Sequence, residues 1–349
     1  MTERRDAADL TRGPRGRRLC HELRQASGLP YAAGSDAGGP DAADMDSGAP
    51  GSGPDGAHPG VGPLDAGGLL TALADTVAWA RYWQEPDQED RDLAAPAAWD
   101  ALRPVAEAVT AAPAAGWWWT PVALDGQRYV EWVDPEHDHS PALSGAPAKL
   151  AAWRRDTRAD EERAAERPAD PHAPWSGHWW STPALSGLPA TSRAAAGLGA
   201  VALALTEDSM GWTEARVWPV RARPGVRVYE ITGPAAWTEL VRRYPLEVSR
   251  SRRHDWFRAT GRAGRWLIPD YAAVAADWDA VHLTVAGYLS TAGVACRVDR
   301  ETATVLAGWD PDDTWWLTDT LTLAGPATYW VNPDGGGPGW RADSTQSPQ

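Results

Sequence analysis

Cysteine, lysine and phenylalanine are nearly absent from this 349-residue chain. Its two cysteines, Cys20 and Cys296, are far apart and form no CxxC pair, which excludes a disulfide framework and a cysteine zinc site and suits a reducing cytoplasm. Phenylalanine occurs once, against 22 Trp and 8 Tyr. Positive charge is also scarce. The formal net charge of −14 leaves no basic face over the molecule as a whole, so neither nucleic acid nor an anionic membrane is an expected partner, although a local basic patch remains open. The most apolar run, Leu198 to Leu205, falls far short of the roughly 20 residues that span a bilayer. The Arg-rich start, Met1 to Gln25, has no apolar core of signal-peptide length behind it, so the expected location is cytoplasmic. Phosphate-loop, dinucleotide, HExxH, GxSxG and kinase motifs are missing as well, and no cofactor is predicted.

What is present, 43% apolar residues, suffices for one large domain or two small ones. Residues 1–62 contain no Trp, and Gly34 to Gly62 is a Gly/Pro/Asp/Ala/Ser mixture that cannot bury enough apolar surface to offset chain entropy. They read as a disordered leader, or as an overextended start. Residues 333–349, rich in Gly, Pro and Ser, read as a disordered tail. In 63–112, Leu69, Leu73, Val77, Ala80 and Trp83, then Trp99, Leu102, Ala106 and Val109, fall at helical spacing and predict a helical hairpin. Pro104 should kink the second helix or mark its start. The acidic connection Glu85, Asp87, Glu89, Asp90, Asp92 reads as a solvated turn.

Residues 113–174 predict a β-hairpin, Trp117–Trp119 with Gln127–Val133 across Asp125-Gly126, then a charged helix with the narrow stripe Leu150, Trp153, Thr157. Residues 175–332 hold thirteen of the 22 Trp and form the expected main domain. There Val201 to Leu205, Ala215 to Val220 and Val226 to Ile231 read as a three-stranded meander. A helix opened by Gly233-Pro234 and another capped by Asp270 follow, then a strand through Val281 and Leu283 and two short strands around 304–308 and 314–317. Without a βαβ rhythm, the expected class is α+β: an antiparallel meander sheet with helices on one side.

Three signals could carry chemistry. Paired rings at Trp179-Trp180 or Trp315-Trp316 could stack on a planar ligand, though Trp also serves simply as core filling. Arg242, Arg243, Arg250, Arg252, Arg253, Arg258, Arg262 and Arg265 face only Glu247 and Asp255 locally, an island suited to phosphate or carboxylate, or to the chain's own Asp270, Asp277, Asp279, Asp310, Asp312 and Asp313. Two histidines, His254 inside the island and His282 on a strand's polar face beside Thr284, could act as acid or base; surface and core roles explain them equally. Glu207, Asp208 and Glu230 could add carboxylates at a sheet edge. Asp134, Glu136, His137, Asp138 and His139 make a metal-like cluster in a Pro-bounded loop without an identified fourth partner, so no metal site is predicted. Cys296 reads as a buried filler.

The blocks His178-Trp-Trp-Ser-Thr-Pro-Ala-Leu-Ser-Gly187, Glu207-Asp-Ser-Met-Gly-Trp212, Ser251-Arg-Arg-His-Asp-Trp256, Asp279 to Tyr288 and Ala307-Gly-Trp-Asp-Pro311 resemble those of uncharacterised Trp-rich actinomycete proteins. The resemblance implies an actinomycete source and an intracellular protein, and carries no catalytic residue with it. Two functional expectations result. One is a noncatalytic ligand-binding or interaction protein, in which Trp180, Arg252, Arg253 and Trp256 hold a small anionic or planar molecule and the early helices meet a protein partner. The other is a hydrolase or transferase with His254 or His282 as acid/base and Asp310 as the orienting carboxylate.

Overall fold

The computed structural model describes residues 6–27, 64–133, 141–207, 209–335 and 337–345. Most of the expected leader, 28–62, lies outside them, as do Asp208 and the cluster Asp134, Glu136, His137, Asp138 and His139. Residues 6–27 do not behave as a leader: they fold into α1 (Ala7–Arg12) and α2 (Pro14–Ala26). Leu10, Leu19, Cys20 and Leu23 are buried, and each leucine hidden from water contributes about 1.5–3 kcal/mol. The predicted helices are α3 (Ala66–Ala78), a short α4 (Gln88–Leu93), and α5 (Pro96–Ala111). Asp65 starts α3 by accepting from Gly68 N–H at 2.7 Å. Pro104 neither starts nor interrupts α5. The expected hairpin is instead a cluster, because α2 packs against both α3 and α5.

The acidic connection is solvated at Glu85, Asp87 and Asp92, but Glu89 and Asp90 are half-buried against α2. Glu89 reaches Arg18 at 2.5 Å and His21 at 2.7 Å, Arg18 also pairs with Glu22 at 2.6 Å, and Asp90 meets Arg15 at 3.3 Å. These carboxylates make burial of the Arg-rich α2 possible, since an unpaired buried guanidinium would carry a heavy desolvation cost.

The remaining elements, in chain order, are β1 (Gln127–Trp132), α6 (Ala146–Arg163), β2 (Ala190–Arg193), β3 (Glu214–Ala222), β4 (Val228–Ile231), α7 (Pro234–Arg243), β5 (Pro245–Glu247), α8 (Arg253–Thr260), β6 (Arg265–Pro269), α9 (Tyr271–Val274), β7 (Ala280–Leu283), α10 (Val285–Thr291), β8 (Cys296–Arg297), β9 (Thr302–Thr304), β10 (Thr314–Trp316), β11 (Leu321–Leu323), β12 (Thr328–Val331) and β13 (Arg341–Ala342). The class is mixed α+β. One sheet runs β13-β12-β3-β1-β2-β10-β7-β4, with β11 also on β3; a second runs β5-β6-β9-β8.

No meander forms. β3 pairs antiparallel with β1 (Val130 opposite Val217) and with β12, while β4 lies parallel to β7 (Glu230 opposite His282). Val201–Leu203 is a 3-10 turn whose apolar side chains are buried without strand pairing. Trp117–Trp119 also belong to a 3-10 helix, so β1 takes its partners from β2 and β3 rather than from a local hairpin. Asp270 precedes α9 without a side-chain cap, its carboxylate being held by Arg154 at 2.7 Å. The tail is not wholly irregular: β13 extends the sheet beside β12, and buried Trp340 packs on Trp132 with ring centroids 5.6 Å apart.

Trp118, Trp237, Trp256, Trp266, Trp309 and Trp316 are fully enclosed. For these rings, core filling is the physical role.

Candidate functional site

One face of α6 and the segment 178–186 enclose a cleft of about 260 Å³. Leu150, Trp153 and Thr157, the stripe legible in the sequence, are buried, and the same face continues into Asp160, which is only 5% exposed. Lys149, Asp156 and Arg163, at helical intervals along α6, complete that wall. Trp180, His178 and Thr182 line the opposite side, with Arg252 also exposed to the cleft.

The electrostatics centre on Asp160. Its carboxylate takes Arg167 Nη2 at 2.6 Å, His178 Nδ1 at 3.4 Å, Arg252 Nη1 at 3.6 Å and Arg163 Nη2 at 3.8 Å. Glu161, the next acid along the helix, is engaged by the backbone N–H groups of Arg250 and Ser251, both at 2.8 Å. Burial pulls the Arg252 guanidinium down to about 10 despite the opposing charges of Asp160, Glu161 and Asp255. The His178 pKa is lowered by burial and next by Arg252. The three arginines around Asp160 are thus opposed by Asp160, Glu161 and Asp255, whereas the cleft lining itself carries three cations, Lys149, Arg163 and Arg252, and one carboxylate, Asp156. Arg252 is fixed by donating Nε–H to Trp180 O at 3.3 Å and Nη1–H to Ser251 Oγ at 3.1 Å.

Trp180 is half-buried, tilted against Trp179 at 4.9 Å and against His178 at 5.7 Å, whereas Trp179 belongs to the core with Trp83. Its ring rests on Gly308, where an added Cβ would sit 2.2 Å from Trp180 Cδ1 and where φ is +71°, so glycine is required on both counts. Two further features mark the cleft. The Thr182 hydroxyl is buried and has no hydrogen-bond partner. Leu185, on the rim, is 83% exposed and adopts φ +60°, a left-handed conformation that costs a non-glycine residue energy.

Two of the four expected ligand residues, Trp180 and Arg252, thus meet in one cleft. The other two do not join them there. Arg253 donates to Pro168 O at 2.5 Å, and Trp256 is enclosed, donating its indole N–H to Trp179 O at 2.8 Å. The Arg island otherwise satisfies itself with nearby acids: Arg243 with Asp277, Arg265 with Glu247 and Arg258 with Asp255. Of the distant aspartates proposed as its partners, Asp277 alone pairs with it among the described residues; Asp270, Asp279 and Asp312 go to Arg154, Arg227 and Arg193. Lys149, Arg163, His178 and Thr182 were not singled out as site residues from the sequence; the helical spacing of 149, 153, 156, 160 and 163 was the available signal.

The expected acid/base residues occupy separate networks. His254 lies on α8, buried, with Nε2 3.1 Å from Pro168 O, and burial lowers its pKa. His282 on β7 is sealed in the core, Nδ1 2.5 Å from Glu230 Oε2 and Nε2 3.4 Å from Asp312 Oδ1. Burial disfavours its imidazolium, but the bonds to Asp312 and Glu230 outweigh burial and the pKa is raised. Glu230 and Asp312, not Asp310, are therefore the carboxylates beside His282. Asp312 adopts φ +66° and also binds Arg193 through Nε at 2.7 Å and backbone N–H at 2.9 Å.

Asp310 accepts from Glu207 N–H at 2.6 Å, and burial together with Asp313 pushes its carboxyl well above the usual range. Glu207 is itself pushed to about 8, by burial first and then by Asp310; Tyr82 donates its hydroxyl to Glu207 Oε1 at 2.5 Å. None of His254, His282 and Asp310 lines the Trp180 cleft. Burial pushes both thiols, Cys20 and Cys296, up to about 12, so neither is an activated nucleophile.

Comparisons with protein-family models, curated proteins and solved structures return no match. Nothing from a relative therefore assigns a role to these residues, and the geometry of the cleft has to carry the functional reading. Among the described residues, no group of three or more His, Cys, Asp or Glu is arranged to hold a metal ion, and no helix is long and apolar enough to cross a membrane.

Proposed function

We propose that the protein is a noncatalytic binding protein whose Trp180/Arg252 cleft takes a small planar anion, of the aromatic carboxylate class. One observation carries this reading: Lys149, Arg163 and Arg252 line the cleft together with the Trp180 ring, against Asp156 as the one lining carboxylate among the described residues. A ligand carboxylate entering there completes the charge pairing and accepts from the idle Thr182 hydroxyl. Its ring lies against Trp180 and under exposed Leu185, which would lose water contact on binding. The hydrolase or transferase reading draws no support from this cleft, which contains none of its three acid/base residues.

Calorimetric titration of the full chain with benzoate tests the proposal. Saturable binding is expected, weakened about tenfold by Trp180→Ala, whose lost stacking is comparable to that of an aromatic platform, and about threefold or more by Thr182→Val, which removes one hydrogen bond without changing shape. Absence of saturable binding, or equal affinity in wild type and both variants, overturns it.

A further inference from the structure

A second cleft, of about 430 Å³, opens where α2 and the α3–α5 connection face the end of α8 and the turn Gly293–Ala295. It is independent of the Trp180 cleft and shares no lining residue with it. Arg15 and Arg17 form part of its wall although they are only 4% and 7% exposed, and the Nε of each has no hydrogen-bond partner. Arg17 is held by donating Nη1–H to the carbonyls of Thr11 and Arg12, at 3.0 and 2.8 Å. Burial and then the neighbouring charge of Arg15 lower its pKa, against the opposing charge of Asp90.

The cleft's own acids do not neutralise it. Asp90 is committed to Arg15, at 3.3 and 3.4 Å, and Asp87 caps α4 by accepting from Asp90 N–H at 2.8 Å. That leaves two acids, Glu85 and the still charged Asp87, facing Arg17, Arg81 and Arg91, none of which makes an ion pair among the described residues. Trp79 and Trp99 flank the opening, 41% and 44% exposed, with Arg81 5.2 Å above one ring and Arg17 5.3 Å above the other.

We propose that this cleft binds the phosphoryl group of a phosphomonoester. A dianion matches the several guanidiniums better than a single carboxylate does, because each fork can take two of its oxygens. The exposed indoles then supply apolar surface for the organic remainder, and the volume falls within the range of small-ligand pockets.

The test uses the full chain and adenosine monophosphate as probe, with inorganic phosphate and adenosine as competitors. Saturable binding of the monophosphate is expected, displaced by phosphate but not by adenosine. Loss of a charge-assisted contact should weaken it about tenfold in Arg17→Gln and several-fold in Arg81→Gln, with Lys149→Gln, in the other cleft, unchanged. Arg81 is exposed, so its variant reports on binding even if Arg17→Gln fails to fold. No saturable binding, displacement by adenosine alone, or an equal loss in Lys149→Gln would each overturn the assignment. The last result would place the anion beside Trp180 instead, while failure of benzoate to bind leaves this second cleft unaffected.

Discussion

Replacing Glu207 by Gln should make the protein less sensitive to alkali. The carboxyl is buried, its Oε2 has no hydrogen-bond partner, and its pKa is raised from 4.5 to about 8 by burial and then by Asp310. An acid whose folded-state pKa is raised favours folding fully below its unfolded-state value and loses that contribution as pH rises toward the folded-state value. The window therefore runs from about pH 4.5 to about pH 8. At 1.36 kcal/mol per pH unit, the ionisation of this one group removes about 3 to 4 kcal/mol between pH 5 and pH 8. Glutamine imitates the protonated acid and keeps an oxygen for the Tyr82 hydroxyl, so the variant should be within about 1 kcal/mol of wild type at pH 5 and more stable at pH 8. Urea unfolding followed by Trp fluorescence at pH 5, 6, 7 and 8 measures the difference. His282, also raised, and Asp310 lose stability in the same direction, which is why the wild-type curve alone is not the test. Parallel curves for wild type and variant, separated by a constant amount, would refute the reasoning.

The remaining predictions concern packing and charge. Asp312→Asn should cost about 3 kcal/mol or more, because it leaves Arg193 without its buried counter-charge and His282 with Glu230 alone; Asn tolerates the positive φ, so the backbone is not the cause, and a change below about 1 kcal/mol in urea unfolding would dismiss the pair. Leu19→Ala, in fully buried α2 packing, should cost about 2–5 kcal/mol, whereas an unchanged unfolding midpoint would mean that residues 7–26 do not dock.

Those two sites also show why some of the molecule was legible in the sequence and some was not. Helices α3, α5, α6 and α7 place apolar residues at three- and four-residue intervals, and burial follows that pattern: Leu69, Leu73 and Val77 in α3, Trp237, Leu240 and Val241 in α7. Strand β3 emerged where its residues alternate. Its partners did not, because β1, β12 and β11 come from distant parts of the chain and no local turn encodes them. The Val201–Leu205 run misled for a related reason: alternating apolar and alanine residues satisfy burial in a 3-10 turn as well as in a strand.

Helix α2 failed on different grounds. Its buried face consists of Arg15, Arg17, Arg18 and His21 as much as Leu19 and Leu23, so hydrophobic periodicity registers little, and its burial depends on Glu89 and Asp90, some seventy residues away. The arginine-rich start reads as a disordered leader and the acidic connection as a solvated turn; pairing with Glu89 and Asp90 is what allows α2 to be buried. The same physics built the wall of the Trp180 cleft, where the charged helix α6 buries Asp160 against Arg167 and Arg252. Where a chain with 32 Arg and one Lys buries charge, an arginine island in the sequence does not locate a binding site by itself. In the island, Arg243 and Arg258 each have an acid and Arg265 has two, Glu247 and Glu301; the places that can still accept an anion are clefts whose lining holds more cations than carboxylates.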